Sequence, residues 1–160
     1  MCGILFQVQS PSGESQQDTW STLEKLNARR GHLTQLCNSS HDLGPSAQDT
    51  YRTTIPQHDT QDIELSFYGA VLHLRGDIVI RQPHVSQACG NVLIWNGEIF
   101  DGITVNVHQN DGQVLMDQLE TVSFQSTSGQ VHLNLFLKTM VKIEGPYAFV
   151  YFHASRIEGS

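Results

Sequence analysis

The residue best placed to do chemistry is Cys2, in the opening run Met1-Cys2-Gly3-Ile4. Removal of Met1 puts a thiol and a free α-amino group on one residue. An ordinary thiol has a pKa of about 8.5 and an α-amino group one of about 7.7–8.0. Near neutral pH the amine can therefore take the thiol proton, directly or through one water, and act as the nucleophile's own base. The alternative is a small hydrophobe buried at the start of a strand. Other polar residues have chemistry of their own. Arg75 offers a planar fork of donors suited to a carboxylate, or it is a surface Arg at a strand end. Asp111 follows Asn110 where a helix N-cap is expected. Asn96-Gly97 has the composition of a two-residue type I′ hairpin turn. The chain has eight histidines, but they are spread out with no His-x-x-x-His pair, so they do not make a metal set.

These residues need elements to hold them. Residues 3–9 read as a short buried strand ended by Pro11-Ser12-Gly13. Ser21 and Glu24 are spaced as a capping box for a helix with Leu23 and Leu26 on one face, stopped by Gly31. Residues 34–62, rich in Gln, Ser, Thr, Asp and His, read as a long surface excursion. Residues 63–74 read as two strands or one bent strand. Asn91–Trp95 and Glu98–Phe100 flank the Asn96-Gly97 turn. A helix carrying Val114, Leu115 and Leu119 follows Asn110-Asp111. Residues 130–142 fit a helix, although Val131, Leu133, Leu135 and Leu137 also alternate as in a strand. Gly145-Pro146 breaks this stretch, and Tyr147–Phe152 reads as a near-continuous apolar strand of the buried kind.

The bulk numbers exclude several classes. The 160 residues suffice for one domain with a core. Nine Lys and Arg against sixteen Asp and Glu leave a formal charge of -7 and no basic stripe, which argues against nucleic acid. No run approaches the ~20 apolar residues of a membrane span, and the N-terminus is unlike a signal peptide. Three scattered cysteines, Cys2, Cys37 and Cys89, point to a reducing, cytoplasmic setting without a disulfide framework.

Taken in order, Cys2-Gly3-Ile4, Arg29-Arg30-Gly31, Val-Leu-His-Leu-Arg75-Gly76, Leu-Ile-Trp95-Asn96-Gly97-Glu98-Ile-Phe, Gln-Asn110-Asp111-Gly-Gln-Val-Leu and Glu144-Gly145-Pro146-Tyr147 form a set. The set resembles the class II, N-terminal-nucleophile glutamine amidotransferase domain of the asparagine synthetases, over residues 1 to about 154. The resemblance implies an α+β fold, the four-layer α/β/β/α sandwich of the N-terminal-nucleophile hydrolases. It implies glutamine as substrate, hydrolysed to glutamate and ammonia for asparagine biosynthesis through a Cys2 thioester. Asn96 and Gly97 would form the oxyanion hole. Arg75 would hold the α-carboxylate, Asp111 the α-ammonium, and Glu98 would contact the substrate. No metal or cofactor is implied for this chain.

The departures are local and terminal. His32-Leu33 follows Arg30-Gly31 where the family has Pro-Asp, and Gly76-Asp77-Ile78-Val79 stands where it often has Leu-Ser-Ile. Residues 155–160 read as a divergent tail. The Gly-rich phosphate loop of a synthetase domain, which would use ATP and magnesium, is not in the sequence. The expectation is a domain of residues 1–154 that lacks its last strands, with a sheet edge open to self-association. An inactive truncated form acting as an interaction module is the alternative.

Overall fold

Strand-forming residues build two antiparallel sheets, the first with one helix against it and the second with two in its unit. The computed structural model describes residues 3–9, 16–28, 47–57, 61–71 and 75–154. Cys2, Arg29-Arg30-Gly31, His73 and the tail 155–160 lie outside the described residues. Two units emerge from the chain contacts. The described residues are α+β, with three helices and two three-stranded sheets.

In the first unit β1 (Gly3–Gln9) and β2 (Ala47–Ile55) flank β3 (Ile63–Val71), both pairing antiparallel with it. The register runs Gly3↔Ala70 to Gln9↔Glu64 on one side and Ala47↔Val71 to Ile55↔Ile63 on the other. Helix α1 (Gln16–Ala28) lays Trp20 onto Tyr68 and Ala70, with Leu5 beside them. The other face of β3 carries Leu65, Phe67 and Val71, all buried.

Three expectations change here. The helix starts five residues before Ser21, so Ser21 and Glu24 lie within it and form no capping box. Glu24 instead accepts from the Trp20 indole and from the Thr50 hydroxyl at 3.1 Å. The buried face is set by Trp20 and Asn27, seven residues apart, while Leu23 and Leu26 are exposed. A single Trp covers more apolar surface than either Leu, so it fixes the helix rotation. The polar stretch 34–62 contains β2, whose Thr50, Tyr51, Thr53 and Thr54 suit a half-exposed strand at the sheet's edge. Residues 63–71 form one strand.

In the second unit β4 (His84–Val85) and β6 (Tyr147–Phe152) flank β5 (Val92–Gly97). Helices α2 (Asp111–Gln125) and α3 (Gly129–Met140) complete it. Leu93, Trp95 and Ile99 face Leu115, Met116 and Leu119 of α2 and Met140 and Ile143 in one core. Residues 129–140 are helical, begun by Ser128, whose side chain accepts from the Val131 N–H. Of the α3 residues, His132 and Met140 are buried, and Leu133 and Leu137 face outward. Strand β6 is not buried on both faces, because Tyr147 and Ala148 at its start are exposed. It is the outer strand of its sheet, and only its Phe149 and Tyr151 approach the core.

Candidate active site

The Asn96-Gly97 pair is not a hairpin turn. It ends β5, with Asn96 opposite Ala148 and Gly97 opposite Tyr147. The pairing continues beyond it: Glu98 N–H donates to Pro146 O at 3.1 Å, and Phe100 N–H to Glu144 O at 2.8 Å. A type I′ turn needs positive φ at both central residues, and Gly97 is not among the positive-φ glycines. The strand's partner arrives about fifty residues later, so no local signal announces it.

The phase of this ladder decides where the Gly97 peptide groups point. In an antiparallel pair, hydrogen-bonded and non-hydrogen-bonded positions alternate. Glu98 and Phe100 bond across to β6 and its approach, so residues 97 and 99 are the non-bonded positions. Their N–H and C=O groups therefore face away from β6. The other neighbour, β4, reaches only Val92 and Leu93. A non-bonded pair also brings the two backbones closest. A Cβ on Gly97 would come within 2.5 Å of the Tyr147 Cβ, which explains glycine there.

Ile99 shows what occupies that open side. Its N–H donates to Asp111 Oδ2 at 3.0 Å, and its C=O accepts from Arg75 Nη1 at 3.0 Å. Arg75 Nη1 also meets Asp111 Oδ1 at 3.0 Å, and Nη2 reaches Val105 O at 3.4 Å. The Asp111 side chain is 6% exposed and that of Arg75 37%. A guanidinium has five N–H donors. Three contacts are made here, two from Nη1 and one from Nη2, which leaves Nε–H and one Nη2–H.

Helix α2 supports this pair. Asn110, and not Asp111, is its N-cap, accepting from the N–H groups of Gly112 and Gln113. Asp111 is thereby the first helical residue. Its carboxylate lies at the positive end of the helix dipole as well as beside Arg75. The loop after Arg75 is seated on the same side by an exposed contact between His108 Nδ1 and Asp77 Oδ1 at 2.9 Å. This contact was not legible in the sequence, where 76–79 simply departs from the family pattern.

Of the predicted site residues, Arg75 and Asp111 are paired directly, and Gly97 lies two residues from the Ile99 that both hold. Asn96 and Glu98 project from the opposite face of the strand, Asn96 half-buried and Glu98 exposed. Sequence reasoning missed Ile99 as the joint between the parts, since its contribution is entirely backbone. Among the described residues no group of three or more His, Cys, Asp and Glu is gathered as a metal site.

By sequence the chain is similar to a part of proteins named asparagine synthetase domain-containing protein 1. It is similar to asparagine synthetase domain-containing protein 1 of Mus musculus, 33% identical over 154 residues, which are 96% of this chain and 20% of that protein. The Bos taurus protein of the same name is 35% identical over 120 residues, 75% of this chain and 16% of that protein. For the Homo sapiens protein the figures are 39% over 89 residues, 56% and 12%. The chain thus spans a fifth or less of the length of these relatives. No family model and no solved structure matches it. Among the described residues no helix is long and apolar enough to cross a membrane.

Proposed function

We propose that this chain is a class II glutamine amidotransferase domain, which hydrolyses glutamine in the cytoplasm and supplies ammonia for asparagine synthesis. The observation that carries the reading is the spacing along β5. The Gly97 N–H faces the side of the strand on which Arg75 and Asp111 grip Ile99. Two residues of strand span roughly 7 Å. An amino acid held at its α-end by the ion pair, with a two-methylene side chain ending in an amide, has that reach.

The chemistry follows from the groups. The Cys2 amine takes the thiol proton and the thiolate attacks the glutamine δ-carbonyl. The oxygen gains negative charge, which the Asn96 side-chain amide and the Gly97 N–H stabilise, each such donor being worth about 2.7–4 kcal/mol. The C–N bond breaks and ammonia leaves with the proton. Water then hydrolyses the thioester to glutamate and restores the thiol. Arg75 gives its two remaining donors to the α-carboxylate, Asp111 attracts the α-ammonium, and Glu98 lines the approach. No metal or cofactor enters these steps; ATP and magnesium belong to the acceptor chemistry elsewhere in a longer protein.

The finer fold reading belongs with this proposal. The first unit has one helix on a sheet face and the second has two, and the opposite faces carry buried apolar residues, Leu65 and Phe67 in the first and Val92 and Ile94 in the second. That is the composition of an α/β/β/α sandwich. One observation favours a second reading, a non-catalytic interaction module: both Asp111 oxygens already have protein partners.

Labelling separates the two. The purified chain, treated with a glutamine-analogue diazo-ketone and weighed intact, is expected to lack Met1 and gain one adduct. Cys2→Ala should abolish the adduct, while Cys37→Ala and Cys89→Ala should not. A retained Met1 or an unlabelled Cys2 removes the enzymatic reading.

A further inference from the structure

The phase of the β5–β6 ladder also decides what β6 leaves open. Glu98 N–H donates to Pro146 O, so the bonded partners further along are Asn96 with Ala148, Ile94 with Val150 and Val92 with Phe152. Tyr147, Phe149 and Tyr151 therefore turn their N–H and C=O groups to the other side of the strand. β6 is the outer strand of its sheet, and among the described residues no backbone group bonds to those three on that side. A row of unpaired groups on an outer strand is a template for another strand.

Outer strands are usually blunted by charge, proline or a bulge. β2, at the edge of the first sheet, carries Asp49 and Arg52. β6 reads Tyr-Ala-Phe-Val-Tyr-Phe, with neither charge nor proline, and it pairs with β5 residue for residue from Tyr147 to Phe152. The chain holds sixteen acidic residues, yet none lies between Glu120 and Glu144 or between Glu144 and Glu158. The α3 helix and β6 are both free of them. Phe136 of α3 packs on Phe149 and Tyr151, and Leu133 and Leu137, one turn apart on the same helix, are exposed. The open edge thus lies beside an apolar helix in a region without negative charge.

We infer that the outer edge of β6 pairs with the same edge of a second copy of this chain, antiparallel about a two-fold axis at Phe149. The strand is its own complement in that register. Phe149 meets Phe149, and Tyr147 meets Tyr151 of the second copy, each pair exchanging two backbone hydrogen bonds. Aromatic residues then lie across from aromatic residues, a stabilising combination. No like charges are opposed, because the formal charge of -7 is carried elsewhere. A charged peptide would find no counter-charge along this strand, which favours a copy of itself as the occupant. Pairing within the plane of the sheet keeps like faces on one side, so both α3 helices bring their exposed leucines to the same side of the joined sheet. The contact uses the same edge of each copy once, which closes the assembly at two. The inference does not depend on the glutaminase reading.

The test combines sedimentation of the full chain with residue-resolved amide hydrogen exchange. At micromolar concentration the mass should be twice that of one chain. The amides of Tyr147, Phe149 and Tyr151 should slow as concentration rises, while those of Ala148, Val150 and Phe152 are slow throughout, because β5 holds them. Ala148→Lys places a charge at an exposed position on each side of the axis. It should return the mass to that of one chain and the three amides to fast exchange, with an unchanged circular dichroism spectrum. Should that variant fail to fold, the alternating protection of the wild type decides alone. A single-chain mass at every concentration overturns the inference; if the three amides are then slow, the chain covers its own edge. A dimer without the alternating pattern, or one that survives Ala148→Lys, places the interface elsewhere and also overturns it. Species larger than two overturn the two-fold closure.

Discussion

Arg75 has a part in the fold beside the substrate-binding role proposed for it. Its Nη1 holds Ile99 O and Asp111 and its Nη2 reaches Val105 O, so two of its five N–H donors have no contact among the described residues. A lysine carries the same charge but presents it as a point, without the fork that meets several acceptors in fixed directions. Arg75→Lys should therefore retain part of the attraction to Asp111 and lose the two-donor contact to the substrate. A hydrogen bond to a charged group contributes about 1.5–3 kcal/mol, so the KM for glutamine should rise about 10- to 100-fold with kcat little changed. Steady-state ammonia release measures both. A fall confined to kcat would show that Arg75 acts on the reacting amide and not on the α-end. The roles proposed for Arg75 and Asp111 come only from the family motifs. That the two touch could not be read there, because nothing in the 35 residues between them encodes their approach.

At the scale of elements, what was legible depended on whether the signal was local. Helix α2 was read correctly because its start is a local event: Asn110 accepts from N–H groups two and three residues on. The β1 strand and the 147–152 strand were also legible as apolar runs, although β1 is not the buried strand expected, since Phe6 and Val8 are exposed. The Asn96-Gly97 turn failed because the same dipeptide that permits a hairpin also permits a close strand crossing, and only the distant Tyr147 distinguishes them. The α1 face failed because two leucines looked like the apolar stripe, whereas Trp20 decided the rotation by packing on Tyr68. The α2 cap gives an element-scale prediction. Asn110→Ala removes the acceptor for Gly112 and Gln113 and should cost about 1 kcal/mol of stability. Because Asp111 is the next residue, fraying of this turn should also raise the KM for glutamine. Urea unfolding and ammonia release on the same variant check the pair; a loss of stability with unchanged KM would uncouple the cap from the ion pair.

For the whole molecule, the clearest pH sensor among the described residues is His84. It lies on β4 opposite Leu93 and is buried. Its Nε2 has no hydrogen-bond partner among the described residues, and it sits against Gly112, where a Cβ would come within 2.6 Å of that nitrogen. Burial lowers its pKa from 6.5 to about 4, while the negative charge of Asp117 opposes the shift without cancelling it. The folded state thus prefers neutral His84, and the unfolded chain binds a proton more readily. This contribution is fully present above about pH 6.5, declines as pH falls toward 4, and has gone below that. At 1.36 kcal/mol per pKa unit it amounts to about 3 kcal/mol. The urea midpoint of the wild-type chain should accordingly fall between pH 6.5 and 4. His84→Leu fills similar space with nothing to protonate, so its midpoint should fall less steeply over the same interval. Glutamine need not be present, which separates this effect from catalysis. Parallel curves for the two proteins would mean that acid acts through carboxylates alone, and that the first turn of α2 can admit a charged imidazole.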